Sequence, residues 1–285
     1  MAEQLHRAII DGFGDEWSRF DQSALSTEER ETLWSSYFAG FPWDALARGA
    51  EGFDAGCGSG RWATLVAPRV GVLHCLDASG AALAVARRNL AAWPNVSFHE
   101  ALVEETPLAP SSQDFGYALG VLHHTADPAR ALRHLVSRLK PGAPLLVYLY
   151  YAFDNRPAWY RALWRLSEPV RRAVSRSPHG LRYAASQVLA GAVYWPLSRS
   201  ARLAERLGRR VDQWPLAFYR HRSFYVMRTD ALDRFGARLE RRFSRSEIAA
   251  LLEDAGLERI RFNERPPYWS AVGYRRRGSA DVARR

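Results

Sequence analysis

Apolar positions along this chain change period in a regular order. Continuous or alternating runs predict strands at "GFDAG" (52–56), "VGVLHCLD" (70–77), "NVSFHEA" (95–101), "DFGYALGVLHH" (114–124) and "APLLVYLYY" (143–151). The last of these is apolar enough throughout for the middle of a parallel sheet. Between them lie helical patterns: one beginning near Arg61, one in "SGAALAVARRNLAAW" (79–93) with Ser79 as N-cap, and "DPARALRHLVSRLK" (127–140), stopped by Pro141-Gly142. "SRSEIAALLEDAG" (244–256) predicts a helix capped by Ser244 and ended by Gly256, and "LERIRFNE" and "YWSAVGYRR" close the series as two more strands. This βαβ rhythm predicts an α/β fold, a doubly wound and mostly parallel sheet of seven strands.

Residues 152–243 interrupt that rhythm. Their pattern is helical and amphipathic, with Pro157, Pro169, Pro178, Pro196 and Pro215 as expected breaks. A structureless loop of that length would be anomalous, so a helical cap insertion is expected. Four segments result: a helical N-terminal lid (1–47) lying against the same rim, the core of the sheet (48–151), the cap (152–243), and the end of the core sheet with a basic C-terminal tail (244–285).

Composition changes the picture in one respect. The chain has 285 residues, 47% of them apolar, and a formal charge of +10. That charge is segregated: residues 1–151 carry a balance of −5, whereas residues 152–246 carry +13. The basic segment is therefore the insertion. The longest apolar runs are about half the ~20 residues that a membrane span needs, and no signal peptide is legible at the start. A cytoplasmic protein is expected. Cys57 and Cys75 offer neither a disulfide framework nor metal-ligand spacing, so no metal is expected.

The chemistry concentrates in "EGFDAGCGSGRWATL" (51–65). A dinucleotide loop reads G-x-G-x-x-G, and here Arg61 stands where the third small residue belongs. The spacing is instead D-x-G-x-G-x-G, with Asp54 two residues before Gly56. Such a loop suits a ligand with a cationic amino-acid end and no pyrophosphate. Asp77, ending the second strand, is placed to accept both hydroxyls of a ribose.

"FDAGCGSGRWA", "LHCLDAS" and "GVLHHT", in this order, resemble the class I S-adenosylmethionine-dependent methyltransferases. The resemblance covers about residues 48–151 and resumes over 244–275. It implies a Rossmann-like core and S-adenosyl-L-methionine as cofactor, with Gly56, Gly58 and Gly60 flanking it. It also implies Asp54 near the methionine amino group, Asp77 on the ribose and Gly120 at the end of the fourth strand. Leu102 and Val103 fall where the family meets the adenine, with Glu104 nearby. "FGDEWSRF" resembles members whose N-terminal helix folds over the cofactor, so Trp17, Arg19 and Phe20 are lid candidates; equally, Trp17 and Phe20 can anchor a helix to the core.

Methyl transfer needs an acceptor atom about 3 Å from the methyl and in line with the leaving sulfur, with a base if the acceptor holds its proton. His124 is the expected base, with His123 and Tyr150 as further catalytic candidates; packing or turn-capping is the competing role for the histidines. Asp154 and Arg156 open the cap. The cap, with arginines interleaved among Trp159, Tyr160 and Trp164, is expected to recognise the acceptor. That acceptor is expected to be a small molecule, a sugar or glycan precursor or another secondary metabolite. "SQVLAGAVYWPLSRS" can rest on a membrane surface. An RNA methyltransferase or RNA-binding protein using the basic cap is one alternative, and a non-catalytic S-adenosylmethionine-binding module another. DNA amino-methylation is disfavoured, because Pro266–Tyr268 follows Arg265 between the last two strands rather than following the fourth. No obligate protein partner is expected.

Overall fold

The computed structural model describes residues 2–278, with side chains from Arg7 onward. Its helices and strands begin with α1 (Ala2–Arg19), α2 (Thr27–Tyr37), β1 (Glu51–Ala55), α3 (Ala63–Val66), β2 (Val72–Asp77), α4 (Gly80–Asn89) and β3 (Val96–Glu100). There follow β4 (Phe115–Leu119), α5 (Pro128–Arg138), β5 (Pro144–Tyr148), α6 (Ala158–Arg176), α7 (His179–Leu189) and α8 (Trp195–Arg206). The series ends with α9 (Phe224–Gly236), α10 (Arg245–Asp254), β6 (Leu257–Phe262) and β7 (Ala271–Arg275). Two compact units divide the chain.

The sheet unit comprises Glu31–Ala152 and Leu239–Arg285. Its seven strands run in the order β3-β2-β1-β4-β5-β7-β6, parallel from β3 to β5, with β7 antiparallel to both β5 and β6. The order reverses between β1 and β4. At such a switch point the connections leave in opposite directions and open a crevice beyond the strands' carboxyl ends. On one face Leu132, Leu135, Ile248 and Leu252 of α5 and α10 bury against Phe53, Leu145 and Val147. The local stops act as the sequence implies: Ser79 caps α4 through the Ala82 amide, and Ser244 and Glu247 form a reciprocal capping box on α10.

The strand ends need correction. β4 stops at Leu119 rather than running to His123-His124, because Gly120 takes φ +82° and the chain turns into a 3-10 helix, Leu122–His124. β5 likewise stops at Tyr148 instead of Tyr150-Tyr151, and Tyr151 forms an isolated bridge with Phe243.

The helical unit comprises Met1–Arg30 and Phe153–Arg238. α7 and α9 pack on one another and on α6, around Ala190, Tyr194, Met227, Ala231 and Phe235. Two of the five expected proline breaks do not occur. Pro169 lies inside α6 on its exposed side, where solvent can take the carbonyl that its missing N–H leaves. Pro196 falls in the first turn of α8, just after a π-helical turn, Ala190–Tyr194, that carries the chain on from α7. The division between units also falls within the N-terminal stretch, residues 1–30 clustering with the inserted helices and 31–47 with the sheet. The end of the basic tail, 279–285, lies outside the described residues.

Candidate functional site

The glycine loop is fixed by its backbone. The Gly56 and Cys57 amides donate to the Leu76 carbonyl at 2.7 and 3.0 Å, tying the loop to β2. Gly56 adopts φ +73°, and a Cβ there would meet the Val121 side chain at 2.6 Å. Gly60, at φ +75°, would put a Cβ 2.8 Å from Leu90. Both positions exclude larger residues by conformation and by space. Gly58 also takes positive φ, and its amide donates to Asp77 Oδ2 at 2.9 Å. The Ser79 amide donates to Asp77 Oδ1 at 2.9 Å. The carboxylate thus stands beside the loop, oriented by two amides and half-buried, with lone pairs left for a diol.

Asp54 is the electrostatic anomaly. It is buried, and its pKa is pushed up to about 8, chiefly by burial; the Tyr117 hydroxyl pulls it down and Asp77 pushes it up. Despite that influence, neither Asp54 Oδ2 nor the Tyr117 hydroxyl completes a well-formed hydrogen bond within the protein. A buried carboxyl oxygen without a donor is costly, and a ligand bringing a cationic N–H would remove the cost. Gly120 completes the cradle from β4, where a Cβ would meet nothing within 4 Å. Val103 is buried and Leu102 half-buried in the connection after β3. These features fit S-adenosyl-L-methionine: an orphaned acid for its amino group, an oriented acid for its ribose, and an apolar connection for its adenine.

Past β4, the rings of His123, His124 and Tyr150 are brought together. His123 stacks on Tyr150 with centroids 3.8 Å apart and lies 4.0 Å from the His124 ring. It is fully buried and neither ring nitrogen finds a partner in the protein. Burial, then the nearby His124 and Arg242, hold its pKa well below the usual imidazole range. His123 is thus a buried ring stacked on Tyr150 and disfavoured from carrying charge.

His124 differs. Its Nδ1 lies 2.6 Å from the Leu239 carbonyl, which can only accept, so Nδ1 carries the proton in the neutral ring. Nε2 then holds the lone pair, which is the tautomer a base requires.

Sequence reasoning missed two features. One is the segment Leu239–Phe243, assigned to the cap but belonging to the sheet unit. The Arg241 amide donates to the His123 carbonyl at 3.1 Å, and the Phe243 amide to that of Tyr150 at 2.8 Å. Arg242 lies over the Tyr150 ring at 5.1 Å and pairs with the buried Glu240 at 2.7 Å. The other is a run of rings from Trp62 through Tyr37 and Tyr148 to Tyr150, successive centroids lying 4.9, 5.1 and 5.9 Å apart. Tyr117, a lone hydroxyl in a buried strand, was the legible signal for the acid's neighbour.

Of the lid candidates, Trp17 is half-buried on α1 in the helical unit. Phe20 is buried there against Tyr183 and Tyr225, and Arg19 pairs with Asp15 and covers the Tyr183 ring. These contacts of Phe20 and Arg19 are all made within that unit.

The fold is that of the class I methyltransferases, enzymes that draw their methyl group from S-adenosyl-L-methionine, and the residues around the glycine loop fit that cofactor. Residues 53–147 match the family described as "Methyltransferase domain". The chain is 30% identical over 131 residues to a 2-phytyl-1,4-naphthoquinone methyltransferase of Thermosynechococcus vestitus, covering 43% of this chain and 58% of that protein. A highly reducing polyketide synthase of Emericella nidulans is 29% identical over 147 residues, 44% of this chain but 6% of the synthase. The chain thus spans less than two thirds of either relative. A Haloferax volcanii methyltransferase, solved in complex with the Trm112 methyltransferase activator, shares the fold at TM-score 0.50 and 14% identity, covering 93% of this chain and 98% of that one. Among the described residues, no helix is long and apolar enough to cross a membrane.

Proposed function

We propose that the protein transfers a methyl group from S-adenosyl-L-methionine to a small or medium-sized secondary-metabolite acceptor in the cytoplasm. The observation that carries the cofactor half is the buried Asp54 carboxyl, unpartnered at Oδ2 beside the glycine loop. The acceptor half is supported by the relatives, one acting on a naphthoquinone and another a polyketide synthase. The bound cofactor supplies an electrophilic methyl on a sulfonium. Asp54 and Asp77 would hold its two polar ends. His124 Nε2 would take the acceptor's proton, and the Leu239 carbonyl would stabilise the imidazolium through Nδ1.

Binding itself tests the assignment. With its pKa about 8, Asp54 is mostly protonated at neutral pH, so pairing with an ammonium must expel that proton. Affinity for S-adenosylhomocysteine should therefore rise with pH up to about 8, by at most about tenfold per unit. Calorimetry in buffers of different ionisation enthalpy should record proton release. Asp54→Asn should bind more weakly and lose the dependence. Binding of NAD tighter than of either adenosyl compound would sink the cofactor assignment. Methylated product from a panel of phenolic, quinol and sugar acceptors would define the other substrate.

A further inference from the structure

Among the described residues, every large hydrophobic side chain recorded as exposed falls between Trp159 and Phe224, in the helical unit. On α6 they are Trp159, Leu163, Leu166 and Val170, at i, i+4, i+7 and i+11, which is one continuous stripe. Leu166 is 75% exposed. α7 shows Leu181 and Val188, at 65% and 67%; Leu203 on α8 and Leu207 just past its end are exposed as well.

The fully buried positions of the same helices are polar or small, with Val174 and Leu189 half-buried against the apolar cluster. Arg171 and Ser175 are the buried residues of α6, and Arg182 and Ser186 those of α7; α8 buries Ser198 and Ala201. Arg171 is satisfied there by Glu168 and the Ala237 carbonyl. Water favours the opposite arrangement. Small residues inside with large apolar ones outside are what helices adopt when their outer face meets hydrocarbon.

The charge on these helices identifies the medium. Residues 158–210 hold eleven arginines against two acids, Glu168 and Glu205. Arg165, Arg172 and Arg176 are exposed on α6 alongside its stripe, and Arg206, Arg209 and Arg210 at the end of α8. Arg199 lies 4.1 Å over the half-exposed Trp195 ring. A second copy would bring arginine against arginine. An RNA backbone would suit the arginines and leave the leucine stripe in water. Anionic headgroups above hydrocarbon satisfy both.

We propose that α6, α7 and α8 form a docking face for an anionic membrane surface, lying on it rather than spanning it. The proposal rests on this face alone and stands whatever the acceptor is.

The full chain should sediment with phosphatidylcholine vesicles containing about a third phosphatidylglycerol, and at least tenfold less with phosphatidylcholine alone. Salt at 0.5 M, as a screening condition of roughly 4 Å Debye length, should weaken the binding without abolishing it. Leu163→Glu with Leu166→Glu should cut vesicle binding at least tenfold while leaving S-adenosylhomocysteine affinity unchanged; that affinity also reports on folding. Should that pair misfold, Leu203→Ser with Leu207→Ser, a milder change at the end of α8, should still lower binding several-fold. Wild-type protein left in the supernatant overturns the proposal, and so do folded variants that bind vesicles as wild type does. Concentration-dependent dimers that L166E dissociates, or RNA binding, in the absence of vesicle binding would reassign the face.

Discussion

The two units of this chain differ in what they turn toward solvent. The sheet unit encloses Phe53, Leu76, Leu135 and Leu145, with its polar chemistry at the strand ends. In the other unit α6 and α7 bury Arg171, Ser175, Arg182 and Ser186 beside an apolar cluster, while Leu166 of α6 and Leu203 of α8 turn outward. The first is built for water around it and a ligand in its crevice. The second leaves an apolar face that water alone does not account for. The difference shows that a hydrophobic stripe fixes a helix face but not the medium it meets.

Matched glycine substitutions should expose the contrast most strongly. Gly56→Val forces a β-branched residue to φ +73° and drives its Cβ into Val121. Strain and overpacking together should cost about 2–5 kcal/mol and abolish S-adenosylhomocysteine binding. Gly191→Ala, on the π turn with nothing within 4 Å of the new Cβ, should stabilise by about 0.5–1 kcal/mol. Chemical denaturation of both variants reads the pair. Comparable losses at the two sites would erase the distinction between a packed unit and an open face.

Next in size is His124. Its Nδ1–H is committed to the Leu239 carbonyl, leaving Nε2 as the basic nitrogen. His124→Ala should lower turnover about 10²-fold with cofactor affinity nearly unchanged. Undiminished turnover across the pH range would return this ring to packing. Asp77→Ala should act the other way round, weakening S-adenosylhomocysteine by about 1–3 kcal/mol, as calorimetry would show. An unaltered affinity would remove the carboxylate from the ribose.

Much of the sheet unit was legible because its signals are local. Ser79, Ser244 and Gly256 bound their helices as read, and the spacing of Asp54, Gly56, Gly58 and Asp77 resolves into a loop tied to β2. The ends of β4 and β5 were misplaced because apolar residues continue past the hydrogen-bonded ladder; Gly120 breaks it by conformation, not polarity. Leu239–Phe243 was illegible for a different reason. Its role comes from long-range backbone pairing with His123 and Tyr150, which carries no signature in its own residues. Pro169 misled because a break depends on whether the orphaned carbonyl can reach solvent, and that is set by which side of α6 faces out.

His123 gives the smallest effect and the finest comparison, because it sets a ring with two unpartnered nitrogens inside the largely apolar interior of the sheet unit. Both its nitrogens are buried without partners, and its pKa is held well below 6.5 by burial, with His124 and Arg242 adding to it. A histidine kept neutral in the folded state stabilises fully above the unfolded pKa. As pH falls through about 6.5, the unfolded chain takes up a proton that the buried ring refuses, and stability drains away. His123→Phe keeps a flat ring on Tyr150, 3.8 Å away in the stack, and removes both orphan nitrogens. It should gain about 1 kcal/mol at pH 8, the low end of what an unsatisfied buried polar group costs, because the larger ring must be accommodated. At pH 5 the gain should be greater, since the acid-linked loss disappears. Urea unfolding at the two pH values measures both numbers. A variant less stable at pH 8, with the original pH dependence intact, would mean that this histidine is held by a polar contact rather than by its stack.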